Sequence, residues 1–197
     1  MAKNCFIEGT LFAIQLHSKV YGILFDGAWL WEEYLYTIFK EKGIHIIHAK
    51  NKTGENGISL YEKGQKCYYP DFYYRGADAE KSFVLDAKYK RLNKGHHIDE
   101  QSGENAISIN RDDLFQMITY MHVLPAKHCS LLYPLEIEEN NSVTYVVKAN
   151  PRNLKGFGGE ISGYGLRIPK ATDIKTFWSE MKKTEEQFSE KFQHIYI

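Results

Sequence analysis

The chain has 197 residues, of which 43% are hydrophobic, and this length and composition predict one domain with its own core. Its 25 basic and 25 acidic residues balance, which excludes attraction to nucleic acid through net charge alone. Three widely spaced cysteines exclude a disulfide framework and a thiolate zinc site, and they fit a reducing cytoplasm. No run is apolar enough for a membrane helix or a signal peptide. We therefore expect a single cytoplasmic domain over residues 1–197 that does not associate with a membrane.

The first half of the chain predicts one helix followed by extended segments. The helix covers FDGAWLWEEYLYTIFKEKG, where Asp26 can cap the start and Gly43 can end it. Short extended pieces are predicted at HIIHAK and ISLYEK. Two longer strands are predicted at QKCYYPDFYY and KSFVLDAKYK, joined by the polar sequence RGADAE. This order predicts a β-hairpin in the middle of the chain.

The second half predicts two more helices and further strands. A long exposed loop over LNKGHHIDEQSGENAISIN precedes a helix over RDDLFQMITYMHV, which Asn110 can cap. Strands follow at CSLLYPLEI and VTYVVKA. We interpret NPRNLKGFGGEISGYG as a glycine-rich connection to the terminal helix DIKTFWSEMKKTEEQFSEKFQHI. The predicted core covers about residues 22–150, and residues 151–197 hold the connection and the C-terminal helix. Interleaved helices and strands indicate an α/β or α+β layered fold.

The predicted hairpin brings charged side chains together in a segment that reads as buried. A turn centred between Asp78 and Ala79 places Asp71 opposite Asp86, with Cβ atoms roughly 5 Å apart. Lys88, two residues after Asp86, projects from the same face. Two close carboxylates repel each other unless a cation lies between them, and Mg²⁺ prefers such oxygen ligands. The residues alone leave a second interpretation open, in which these side chains form weak ion pairs on a solvated strand.

These motifs carry a resemblance to a known group of enzymes. PDF followed by VLDAKYK resembles the PD-(D/E)XK nuclease superfamily. With AWLWEEYLYTIF before it, and DLFQMITYMHV and LLYP after it, the pattern resembles the nuclease region of McrC and LlaJI-type restriction subunits over residues 26–134. The resemblance implies a restriction-endonuclease-like core, with a mixed central sheet flanked by helices. It also implies a DNA endonuclease of an anti-phage restriction system that uses Mg²⁺, for which Mn²⁺ can substitute.

The resemblance assigns the central residues of a catalytic site. Asp71 and Asp86 match the metal-binding acids and Lys88 matches the catalytic lysine, and the carbonyl of Ala87 is expected to assist in binding the metal. The family often adds a glutamate from the first helix. Helical spacing favours Glu32 for this role.

The alternative helix acid is Glu33, which falls farther from the apolar stripe of the helix than Glu32 does. We interpret it as an ordinary exposed charge.

Residues after the motif supply further candidates. Gln116 matches a glutamine found in related nucleases, and Tyr120 lies one helical turn beyond it. We expect Gln116 to support the site or contact a phosphate, with Tyr120 helping, although a solvent-facing polar stripe is an open alternative. Lys90, Arg91 and Lys94 form a local basic patch that we expect, together with Tyr120, to contact DNA.

The resemblance also implies partners. These are DNA, a McrB-like GTP-hydrolysing AAA+ motor, and a second copy of the chain for cleavage of both strands. About 25 residues precede the first helix, where the family carries a sizeable N-terminal region, so we expect either a trimmed nuclease or a different contact with the motor. Two other functions stay open: a DNA-binding or assembly subunit that does not cut, and a repair or processing nuclease.

Overall fold

A computed structural model of the chain describes residues 12–15, 21–24, 26–64, 66–90, 109–135, 146–156 and 158–193. The helices within these residues are α1 (Gly27–Glu41), α2 (Arg111–Val123) and α3 (Ile174–Gln193). The strands are β1 (Phe12–Gln15), β2 (Tyr21–Leu24), β3 (Ile47–His48), β4 (Ile58–Ser59), β5 (Cys67–Tyr68), β6 (Phe72–Tyr74), β7 (Phe83–Ala87), β8 (His128–Leu135), β9 (Val146–Asn153) and β10 (Glu160–Arg167). None of these described helices combines the length and the apolar composition that crossing a bilayer requires.

Six strands form one mixed sheet in the order β3-β6-β7-β8-β10-β9. Strands β7 and β10 lie on either side of β8 and run parallel to it. The remaining pairs in this sheet, β3–β6, β6–β7 and β9–β10, are antiparallel. Two small antiparallel pairs, β1–β2 and β4–β5, form separate sheets. The predicted mixed sheet accompanied by helices is therefore confirmed, and the fold is of the α+β type.

The starts of α1 and α2 are capped by the side chains that the sequence indicates. Oδ1 of Asp26 accepts a 3.1 Å hydrogen bond from the amide of Trp29, and Oδ1 of Asn110 accepts one of 2.7 Å from the amide of Asp113. Helix α1 ends at Glu41, with Lys42 as its C-cap. Gly43 follows with a φ of 68°, a conformation that glycine adopts readily. These three local predictions are confirmed.

The helices pack on opposite faces of the sheet, as the alternation of side chains along β7 shows. Phe83 and Leu85 join the apolar cluster that includes side chains of α1 and α3, whereas Val84 joins the cluster that includes side chains of α2. By the same alternation, Asp86 and Lys88 belong to the face that α2 covers. The charged part of β7 therefore lies at the end of a strand whose neighbouring residues are core.

The prediction of a glycine-rich connection over NPRNLKGFGGEISGYG is wrong. Strand β9 continues to Asn153, and β10 is a buried strand between β8 and β9. The physical reason is visible at Gly165, where an added Cβ would lie 2.8 Å from Cε2 of Tyr133. Gly165 therefore allows the Tyr133 ring to approach the backbone of β10 closely. The predicted core boundary near residue 150 falls within β9, inside the sheet.

The predicted single strand QKCYYPDFYY is also wrong, because it divides into β5 and β6. Pro70 lies between them and has no amide hydrogen with which to continue a ladder. Strand β5 pairs with β4, whereas β6 pairs with β3 and β7. The predicted loop over residues 92–110 lies almost entirely outside the described residues.

Candidate active site

The antiparallel pairing of β6 and β7 places Asp71 next to Asp86. Phe72 pairs with Leu85, so the two acids, one residue before and one residue after this pair, face each other at the end of the ladder. This is the register that the sequence predicts. Oδ2 of Asp71 accepts a 2.6 Å hydrogen bond from the amide of Ala87, which fastens this carboxylate to the end of β7.

Lys88 reaches the same point from the end of β7. Its Nζ atom lies 2.6 Å from Oδ2 of Asp86, and Asp86 is only 1% exposed. The ammonium also donates a 3.1 Å hydrogen bond to Oε1 of Gln116 on α2. The structure therefore brings together four of the side chains that the sequence singled out: Asp71, Asp86, Lys88 and Gln116.

The two acids are held where their negative charges are unfavourable. Burial raises the pKa of Asp71 well above its usual range, and the charges of Asp86 and Glu32 raise it further. The hydrogen bond from the Ala87 amide and the charge of Lys88 lower it, but they do not outweigh these effects. Burial also raises the pKa of Asp86, although the ion pair with Lys88 opposes this shift. A bound cation would relieve the repulsion that this arrangement maintains.

Lys88 is held in its charged form. Burial by itself would lower its pKa, but the carboxylates of Asp86, Asp71 and Asp113 outweigh burial and raise it. The side chain is therefore an ammonium at neutral pH. Such a group can donate hydrogen bonds and neutralise negative charge, but it cannot act as a base.

Gln116 is fixed on α2 by Tyr120. Its amide nitrogen donates a 2.9 Å hydrogen bond to the Tyr120 hydroxyl, which in turn donates one of 3.4 Å to the carbonyl of Tyr69. Tyr120 is 4% exposed, and its hydroxyl orients Gln116. The contact of Tyr120 with DNA stays a prediction. A cavity of about 290 Å³ adjoins Gln116 and Tyr120.

Asp113 is a member of the site that the sequence interpretation did not select. It is buried in the first turn of α2, with Oδ1 3.8 Å from Nζ of Lys88, and it forms an ion pair with Lys90. Its position three residues before Gln116, on the same helical face, was the available signal. Lys90, expected to contact DNA, is thus paired with Asp113. Arg91 and Lys94 lie outside the described residues.

Glu32, on α1, acts on the acid pair through its charge, which raises the pKa of Asp71. Its Oε1 atom lies 2.6 Å from Nε2 of His48 on β3. His48 is buried, and no sequence motif indicates it. Glu33 is partly buried on the same helix.

Oxygen ligands for a hard cation are present, although the described residues contain no group of three or more His, Cys, Asp and Glu side chains arranged to hold a metal by themselves. Oδ2 of Asp86 is buried and accepts no well-aligned hydrogen bond, because the nearby ammonium of Lys88 contacts it outside hydrogen-bonding angles. Mg²⁺ usually takes only one or two carboxylates and completes its shell with water and phosphate. Asp71 and Asp86 therefore fit a Mg²⁺ site.

The arrangement of sheet, helices and acidic site defines an α+β protein whose fold occurs in a known assembly. The chain is similar to a chain in a structure of Thermococcus gammatolerans McrB AAA+ hexamers with bound McrC, with a TM-score of 0.50 and 16% sequence identity. The similarity covers 85% of this chain and 34% of that chain, so this protein spans about a third of the other's length.

The sequence itself identifies the family. A family model described as McrBC 5-methylcytosine restriction system component matches residues 6–134, well over half of the chain, and the chain belongs to this family. A search of curated proteins found no match.

Proposed function

We propose that the chain is a metal-dependent DNA endonuclease of the PD-(D/E)XK superfamily, with a restriction-endonuclease-like core, and that it is the cleavage subunit of a McrBC- or LlaJI-like restriction system. The observation that carries the proposal is the convergence of Asp71, Asp86 and Lys88 at the end of the β6–β7 ladder in a member of the McrBC family. Two carboxylates held together repel each other when ionised, and a divalent cation bound by both would offset that repulsion.

In this proposal Asp71 and Asp86 hold Mg²⁺, assisted by Glu32 and the carbonyl of Ala87. When bound, Mg²⁺ supplies a Lewis acid that polarises a phosphate oxygen and lowers the pKa of a water molecule. The hydrogen bond from the Ala87 amide to Oδ2 keeps Asp71 in place at the end of β7.

Lys88 would orient the attacking water and neutralise the charge that develops on the phosphate. The carboxylates of Asp86, Asp71 and Asp113 raise the pKa of Lys88, which favours the charged, hydrogen-bond-donating form that this role requires. The acceptor oxygen of Gln116, held by Tyr120, keeps the ammonium close to Asp86 and away from solvent.

The partners follow from the family and from the assembly in which the similar chain occurs. We propose that this chain acts on DNA, that a McrB-like AAA+ motor is its partner, and that two copies act together to cut both strands. The described residues place Lys90 beside the site, where it is already neutralised by Asp113, so most contacts with DNA phosphates would come from other groups.

The proposal is tested by plasmid cleavage with purified protein and Mg²⁺ or Mn²⁺, alone and with the motor subunit, on methylated and unmethylated DNA. Asp86→Ala and Lys88→Ala should each abolish cleavage, whereas Glu62→Ala and Lys63→Ala, matched changes at exposed positions, should not. Cleavage at the wild-type rate by either site variant would refute the assignment. A protein that binds Mg²⁺ and DNA but never cuts would be the non-cleaving assembly subunit.

A further inference from the structure

His48 links the first helix to the edge of the sheet beside the candidate metal site. Its Nε2 atom lies 2.6 Å from Oε1 of Glu32, and the residue is 5% exposed. We propose that His48 is a positioning residue that orients the Glu32 carboxylate for the metal ion. This inference rests on the proposed metal-dependent function.

The imidazole ring is held in one orientation by packing. Its centroid lies 4.5 Å from that of Tyr36 and 5.1 Å from that of Phe72. The backbone carbonyl of His48 accepts a 2.9 Å hydrogen bond from Nδ2 of Asn56. The Tyr36 and Phe72 rings also lie 6.4 Å from each other, so the imidazole packs against a pair of neighbouring aromatic rings, and this close packing restricts its rotation.

The direction of the hydrogen bond between His48 and Glu32 follows from the groups that form it. Nδ1 of His48 is buried and has no hydrogen-bond partner. Nδ1 therefore contributes no hydrogen bond, and the contact with Glu32 sets the direction: a carboxylate oxygen accepts, so Nε2 carries the proton and donates it. The bond from Nε2 to Oε1 would orient the Glu32 carboxylate, as hydrogen bonds to metal-binding carboxylates commonly do.

His48 is also linked to Asp71 through the pairing of β3 with β6. It pairs with Phe72, the residue after Asp71, and the amide of Ala49 donates a 3.2 Å hydrogen bond to the Asp71 carbonyl. The same backbone therefore positions Asp71 directly and Glu32 through the imidazole. Without that donor, the Glu32 side chain, which is 25% exposed, would be free to occupy rotamers that point into solvent.

The test is a calorimetric titration of the full chain with Mn²⁺, using two complementary variants. His48→Phe keeps an aromatic ring packed against Tyr36 and Phe72 but cannot donate a hydrogen bond, whereas His48→Gln restores a donor without the ring. His48→Phe should weaken Mn²⁺ binding roughly 10–100-fold, and His48→Gln should recover most of that loss. His45→Phe, at an exposed position three residues earlier, is the control and should bind as the wild type does.

A double variant separates positioning from a general structural role. Glu32→Gln with His48→Phe should bind Mn²⁺ no more weakly than Glu32→Gln alone, because His48 acts only through Glu32. If His48→Phe binds like the wild type, or if glutamine gives no rescue, while Asp71→Ala removes binding, the inference is overturned and the metal site stands. A wild-type protein that binds no Mn²⁺ overturns the inference and the proposed function together.

Discussion

The amide of Ala87 donates a 2.6 Å hydrogen bond to the carboxylate of Asp71, and this bond joins β6 and β7 at the point where their ladder ends. It holds Asp71 beside Asp86 although burial and like charge oppose ionisation of both acids. The fold therefore maintains a local repulsion that protonation or a bound cation relieves.

Asp71→Asn should stabilise the metal-free protein at neutral pH. The pKa of Asp71 is raised in the folded state. Its favourable contribution to the free energy of unfolding is therefore fully present below the unfolded-state pKa of about 3.9, and it is lost as the pH rises through the folded-state pKa. Asparagine keeps the acceptor for the Ala87 amide without the charge. We expect a gain of about 1 kcal/mol, or about 2–4 °C in Tm, in EDTA.

The check is the difference in Tm between Asp71→Asn and the wild type at pH 5 and pH 8. The difference should be larger at pH 8, and excess Mg²⁺ should reduce or reverse it by stabilising only the wild type. A difference that does not change with pH would contradict the repulsion assigned to this acid.

Lys88→Met should separate binding of the metal from chemistry. Removing the ammonium takes away a cation that competes for Asp86, so the affinity for Mg²⁺ should stay the same or increase. Cleavage should fall by about 10²–10³-fold or more, as expected when a donor to developing charge is lost. Calorimetry and plasmid cleavage on the same preparation measure the two effects, and weakened metal binding would assign Lys88 a structural role instead.

Tyr120→Phe should lower cleavage through Gln116. The variant loses only the hydroxyl that accepts from Gln116, so its effect should be smaller than that of Gln116→Ala. The double variant should be no worse than Gln116→Ala, because the two side chains act in one chain of hydrogen bonds. Thr119→Ala, which removes a hydroxyl from the same cavity, is the control and should cut normally. Multiplicative losses in the double variant would show that Tyr120 acts independently.

Gly165→Ala should destabilise the fold by about 1–3 kcal/mol, because the added methyl group meets the Tyr133 ring in a packed sheet. The cost should be smaller in a Tyr133→Leu background, where the ring is absent. Thermal or denaturant unfolding of the four proteins in this cycle measures the coupling. An equal loss of stability in both backgrounds would mean that the Tyr133 ring is not the reason why position 165 requires glycine.

Local features of the site were predictable because they depend on neighbours in the chain. The caps of α1 and α2 require one side chain and an amide three residues away, as Asp26 shows. The central hairpin joins neighbouring segments of the chain through residues 75–82, and its register fixes which residue faces Asp71. The spacing of Asp86 and Lys88 along one strand then places both on one face.

The sequence by itself therefore determined the acid pair, its lysine and the helix that carries Gln116. Only the tertiary structure decided what holds these groups: the His48–Glu32 contact, the position of Asp113 beside Lys88, and the burial of β10 against β8. These contacts join residues that are distant in the chain, and their energies come from packing, burial and charge that exist only after the sheet and helices assemble. A glycine beside an aromatic ring and a glycine in a turn are alike in sequence, and the surrounding core distinguishes them.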